Sequence, residues 1–341
     1  MRSLINCTLI TFAVFGISAG LSAMPYDSDQ GTNQNNLAFE CHREADLLPP
    51  ISPNVDVLYK YGLYLQKKDG PNDFNDAARY YRIAAAHGYY KAATNLQGLI
   101  SQGLAASPNG QKETIDLVEK FMSLGVPGAY YDMAHYLEVG YGVQKDNEKA
   151  NAYFRRAADM GNPDAQYYIA KLLGRVVGPK DVMVQMRRCA AYQGHARAAR
   201  ELAGYVRANN DLEEAVKLYQ QGAKSGDSTS ARRLSKAFEG PPSTDELYYL
   251  GVNADQERAL RYKIISKFLD RNEQLGVKVP DLDAIVPLPP AKLPAWDGTF
   301  QWQKERDNEI APQKPSDALI NQLSDERQLD PANGLPLRKL D

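Results

Sequence analysis

GVQKDNEKANAYFRRAADMG, residues 142–161, is echoed about a hundred residues later by GVNADQERALRYKII, residues 251–265. Aligned from Gly-Val, each places an acid fifth (Asp146, Asp255), a base and Ala eighth and ninth (Lys149-Ala150, Arg258-Ala259), and Tyr twelfth (Tyr153, Tyr262). A catalytic signature could recur in this way, and so could a stacked architectural unit. The rest of the chain selects the second. Gly followed by Ala four residues on appears at Gly88, Gly125, Gly161 and Gly194, with a looser copy at Gly226, so the intervals are 37, 36, 33 and 32 residues. Self-similarity at such a period marks repeat architectures. An apolar residue follows each marker at Leu96, Met133, Ile169, Leu202 and Leu234.

The physics of one unit is readable. DAARYYRIAAAHG, KANAYFRRAADMG and EAVKLYQQGAKSG precede three of the glycines, and they combine good helix formers with large residues at three- and four-residue spacing. The Gly ends the second helix because it accepts positive φ, and the small Ala lets the next helix approach closely. Each helix pair has an apolar face that it cannot bury alone, so pairs stack. Asp146 and Asp255 fall where a carboxylate caps a helix N-terminus.

Residues 129–161 resemble the Sel-one-like repeat, a relative of the tetratricopeptide repeat. The elements that carry the resemblance are Ala129, Met133-Ala134, Gly140-Tyr141-Gly142-Val143, Asp146, Lys149-Ala150, Tyr153-Phe154, Arg156-Ala157-Ala158 and Gly161. The expected fold is all-α: a solenoid of about six helix-turn-helix repeats over residues 54–270. A capping segment (24–53) precedes them, and a Pro- and Trp-containing domain (271–341) follows. Pro at 280, 287, 289, 290 and 294 forbids helix there, so the tail reads as an extended strap, then a short helix capped by Ser316. Trp296 and Trp302 are read as packing residues.

The first residues, with Arg2, an apolar run and small residues to Ala23, have the layout of a cleaved secretory signal (1–23). An uncleaved anchor is the alternative. Export to the periplasm makes Cys41 and Cys189 an even pair in an oxidising compartment, expected to bond. Two buried thiols are the alternative.

With 40 basic and 42 acidic residues the chain gives no reason to expect nucleic acid. There is no G-x-S-x-G, H-E-x-x-H, C-x-x-C or phosphate-binding loop among its 341 residues, so no enzyme, metal or cofactor is expected. The tail, with LYYLGVNADQERALRY, VPLPPAKLPAWDG and LDPANGLPL, resembles the C-terminal domain of a bacterial envelope family of Sel-one-like repeat proteins. Members often occur beside phospholipase effectors of type VI secretion, and some serve as their immunity proteins. The resemblance implies a periplasmic, non-enzymatic protein that binds and inhibits such an effector. An envelope scaffold without a toxin partner is the other reading.

In tetratricopeptide-like stacks the first helices line the concave side, around the consensus Leu. By position this selects Tyr59, Tyr131, His135, Tyr167, Lys171, Arg200, Arg232 and Lys236, with Arg197 and Arg207 on adjoining turns. The surface so formed is rich in tyrosine at the front and basic at the back, where residues 171–236 hold 13 Lys and Arg against 6 Asp and Glu. An acidic protein face is the expected complement.

Overall fold

A computed structural model of the chain describes residues 38–68, 70–175 and 180–337. The expected signal, residues 1–23, lies outside them. The described chain is all-α, with one isolated bridge between Leu329 and Pro336. Twelve helices form six antiparallel pairs. They are α1 (Pro53–Lys67) with α2 (Phe74–Ala86), α3 (Tyr90–Ser101) with α4 (Gly110–Ser123), and α5 (Pro127–Val139) with α6 (Asn147–Asp159). Then come α7 (Pro163–Leu173) with α8 (Lys180–Tyr192), α9 (Ala196–Ala208) with α10 (Leu212–Lys224), and α11 (Ser228–Phe238) with α12 (Gln256–Arg271). Each helix packs chiefly on its neighbours in sequence, as a solenoid requires.

Local chemistry sets each boundary. Asp146 Oδ1 accepts from Lys149 N at 2.9 Å and Asp255 Oδ1 from Arg258 N at 3.0 Å, so the echoed stretches are helix N-caps. Asp73, Asn109, Asn162, Asp211 and Asp227 cap other helices in the same way, each holding one amide that the helix leaves free. Gly161 and Gly226 end second helices at φ +104 and +106, backbone that only Gly adopts without strain. The marker alanines Ala92, Ala129, Ala165, Ala198 and Ala231 are wholly buried between adjacent helices, and Leu96, Leu202 and Leu234 sit beneath them.

Beyond α12 the chain folds back on the last pairs. Val279 N donates to Lys224 O at 3.0 Å. A short helix, α13 (Leu282–Ile285), then meets buried polar groups of α10 and α12. Gln220 holds Asp283 at 2.9 Å and accepts from Tyr262 Oη at 2.6 Å, while Arg261 donates to Ile285 O at 2.7 Å. Arg258 reaches the carbonyls of Pro287 and Ala291. A Pro-rich backbone cannot build a ladder of its own, and these arginines satisfy its carbonyls instead. Phe300 stacks on Phe268 with ring centres 4.0 Å apart, and Trp296 and Trp302 pack edge-on around the pair. Both tryptophans are packing residues.

After α14 (Gln301–Asp307) an exposed link leads to α15 (Asp317–Asp325), capped by Ser316 as expected. This helix packs on the other end of the stack. Ile320, Leu323 and Leu329 join the core of the first four pairs. His87 Nε2 lies 2.8 Å from Leu323 O, and Arg82 Nη1 donates to Asn333 O at 3.1 Å. The ten steps between Asp307 and Asp317 reach at most about 35 Å. Small rotations from pair to pair curve a stack of this kind and give it a concave side, with which this return of the tail agrees.

Candidate partner-binding surface

The inside of that curl is marked by a single side chain. Glu44 N donates to Gly161 O at 3.2 Å and to Gln193 Oε1 at 3.1 Å, and its Oε1 accepts from Asn162 Nδ2 at 3.0 Å. A Cβ placed on Gly128 would lie 2.8 Å from the same oxygen. Gly128, Gly161 and Gln193 belong to three successive junctions between pairs. Glu44 touches all three, with its own side chain reaching Gly128 and the Gln193 side chain reaching its amide, and we take this close approach of the junctions as the inner rim.

Residues 38–48 run along this rim. Cys41 is disulfide-bonded to Cys189 of α8, with Cα atoms 5.7 Å apart. Arg155 Nη2 donates to Ala38 O at 2.9 Å, and Gln166 and Gln193 both reach His42 O. Pro49 arrives at Gly88, beside α1. The N-terminal segment therefore covers more than the first pair: it reaches the fourth. Its outward side, including His42, Arg43 and Asp46, is exposed. Over the first four pairs the inner rim thus presents this strap beside the odd-numbered helices.

Beneath the strap lies an acidic, tyrosine-lined cluster. Tyr90 Oη donates to Asp132 Oδ2 at 2.8 Å. Burial pushes the Asp132 carboxyl up to about 6, and the Glu44 and Asp164 charges add to this, opposed by hydrogen bonds from Tyr90 and Gln97. Burial raises Glu44 as well, against the Asn162 hydrogen bond. Burial lowers His195, and Asp164, 3.4 Å from its Nε2, works in the opposite direction.

The sequence-selected residues form two groups. Tyr131 and His135 meet edge-to-face at 4.6 Å and pack on Phe154 of α6. Tyr167 stacks on His195 at 4.4 Å, lies under Arg197, and donates to Glu201 at 2.8 Å. Tyr59 stands apart at the first pair, against Tyr89 at 4.4 Å. The expected basic surface is largely neutralised. Arg187 and Arg197 share Glu201, and Arg200 pairs with Asp227 at 3.3 Å. Arg232 pairs with Asp270 at 3.1 Å and Lys236 with Glu239 at 2.8 Å. Asp270 and Glu239 lie outside the window whose charge excess was counted, which is why composition overstated the patch. Arg207 turns instead to a main-chain carbonyl, that of Glu246. Lys171 is half-buried on α7.

Chemistry is not apparent in the clefts. One of about 650 Å³ lies between the first pairs and the tail, lined by Asp73, Asp76 and Arg82 among others. Asp73 caps α2, Asp76 holds Arg79, and Arg82 is bound to Glu113, so these groups are committed to structure. Among the described residues no group of three His, Cys, Asp or Glu could hold a metal ion, and no helix is long and apolar enough to cross a membrane.

Comparisons with known proteins agree with this architecture. The Sel1 repeat model matches residues 55–89, 127–162 and 196–227, and a domain of unknown function, DUF6396, matches 230–337. Among solved structures the chain is similar to immunity protein PA5088 from Pseudomonas aeruginosa, at 27% identity and TM-score 0.58 over 74% of this chain and 94% of that one. It is likewise similar to immunity protein Pa5087 of that organism (28% identity, TM-score 0.56) and to PA5086 (29%, 0.56), each over 74% of this chain and 95% of the other. No curated protein sequence matches.

Proposed function

Since the chain is a Sel1-repeat protein, an α-solenoid of a kind that binds other proteins, we propose that it is a periplasmic immunity protein that binds and inhibits a secreted phospholipase effector of type VI secretion. The observation that carries this reading is the likeness to two immunity proteins over nearly their entire length. A shared repeat alone would cover only the stack. Three further features support it. Asp73, Asp76 and Arg82 of the 650 Å³ cleft are committed to structure, which favours binding over turnover. The Cys41–Cys189 bond suits an oxidising compartment. The curl offers an inner rim and flanking helices, enough for the roughly 1,600 Å² that a specific interface buries.

The test is co-expression. A phospholipase effector gene from the same neighbourhood, directed to the periplasm, is expected to kill alone and to be tolerated with this chain. Undiminished killing in the presence of the folded chain would remove the proposal.

A further inference from the structure

The loop between α11 and α12 departs from the rest of the stack. It runs over residues 239–255, 17 residues, where the other five pairs use three to eight. Loops this long without secondary structure are uncommon in compact domains and are usually functional, and insertions in solenoids fall on one face, often the binding face.

This loop is held in one conformation. Arg207 of α9 donates to Glu246 O and Arg233 of α11 to Leu247 O, the latter at 3.0 Å. The Arg233 guanidinium lies over the Tyr248 ring, 5.2 Å from its centre. Asp245 Oδ1 accepts from Leu247 N at 2.8 Å and Tyr248 N at 2.9 Å, fixing the turn. Leu250 is buried, and Asp255 N closes the loop onto Phe238 O at 2.8 Å. At the apex of this braced turn Leu247 is 47% exposed. A loop whose backbone is held in this way loses little entropy when a partner buries its exposed apolar side chain, which favours Leu247 as an interface contact.

The surroundings indicate what would receive it. Both arginines donate to carbonyls rather than to carboxylates, and both flank the Tyr219 hydroxyl, so two cationic groups stand at the base of the loop. The helices that carry them, α9 and α11, also carry Arg200 and Arg232, whose charges are neutralised. Arg207 and Arg233 thus differ from Arg200 and Arg232 in forming no ion pair among the described residues, although the loop itself also carries Asp245 and Glu246.

We infer that the 239–255 loop is the anchor of the partner interface, with Leu247 entering an apolar pocket on a protein partner whose rim carries carboxylates that meet Arg207 and Arg233. The inference rests on the reading of this chain as a partner-binding solenoid and adds the surface and its complement.

The test uses the full chain and the protein that co-purifies with it stoichiometrically from its native host, identified by mass spectrometry and then purified. Leu247→Asp is expected to weaken binding at least tenfold, and Leu247→Ala several-fold. Val139→Asp is expected to stay within twofold of the original chain, although Val139 is the more exposed apolar residue, at 72%. Circular dichroism verifies that each variant is folded. Equal affinity for Leu247→Asp and the original chain, or the absence of any stoichiometric partner, would overturn the inference. So would binding to phosphatidylglycerol vesicles that Leu247→Asp abolishes, since that would assign the loop to a membrane. A captured partner that is no phospholipase but still depends on Leu247 would sustain the loop and refute the immunity reading.

Discussion

At Gly128 a methyl group would stand 2.4 Å from Tyr90 Oη and 2.8 Å from Glu44 Oε1, inside the contact that seats the strap. Gly128→Ala is therefore expected to cost about 1–3 kcal/mol, as overpacking does, read as a lower urea midpoint. Gly98, inside α3, is the counter-case. Its added Cβ would meet only the end of Gln102, at 3.9 Å. Gly98→Ala should stabilise the chain by about 0.5–1 kcal/mol, the helix-propensity difference. Asp132 gives a prediction in pH. Its carboxyl, raised to about 6 from 3.8 by burial, favours the protonated form in the folded chain. Stability from this group is therefore full below the unfolded value near 3.8 and is lost as pH rises through about 6. Asp132→Asn removes that loss and should be more stable than the original chain by about 1–2 kcal/mol at pH 7.5. The gain should vanish between pH 6 and pH 4, in paired urea titrations.

Among the elements, the helix pairs were legible in the sequence and the strap was not. Asp146, Asp255 and the Gly–Ala markers each follow from a rule confined to a few neighbouring residues: a cap, a positive-φ turn, a close helix approach. The position of Glu44 follows from three junctions that converge only after the stack has bent, and no periodicity in residues 38–48 announces it. A similar limit applies to the charge of residues 171–236: Arg232 finds its acid on the next helix, at Asp270, while Lys236 finds Glu239 just past the end of the counted window. The bracing of the 239–255 loop by Arg207 and Arg233 joins residues of different helices and has no local signature either. The strap has a measurable share of stability. A bond closing a separation of 148 residues restricts the unfolded chain by about 5 kcal/mol on a chain-entropy account. The Cys41→Ser, Cys189→Ser double variant should lose several kcal/mol of that. In hydrogen exchange its Glu44 amide should open first, while α11 and α12 keep their protection. Unchanged exchange at Glu44 would mean that hydrogen bonds alone hold the strap.

The whole molecule couples elements far apart in sequence. A plain solenoid is nearly one-dimensional, each repeat depending only on its neighbours. Here α15 and residues 329–336 complete the packing of α2, with Arg79 donating to Pro331 O at 2.5 Å and Arg82 to Asn333 O. Truncation after Asp307 should therefore unprotect α1–α4 in hydrogen exchange and leave α9–α12 close to the intact chain. The opposite pattern would show that the last pairs need the distal tail more than the first pairs do.

That return of the tail also dictates an order of events at birth. The ribosome makes Arg82 251 residues before Asn333, so the opening pairs cannot bury Arg82 fully until that later stretch has emerged. Early helices left unfinished for so long would stay pliable. A chain of this kind suits handling by chaperones until residues 329–336 have emerged, after which the first pairs lock.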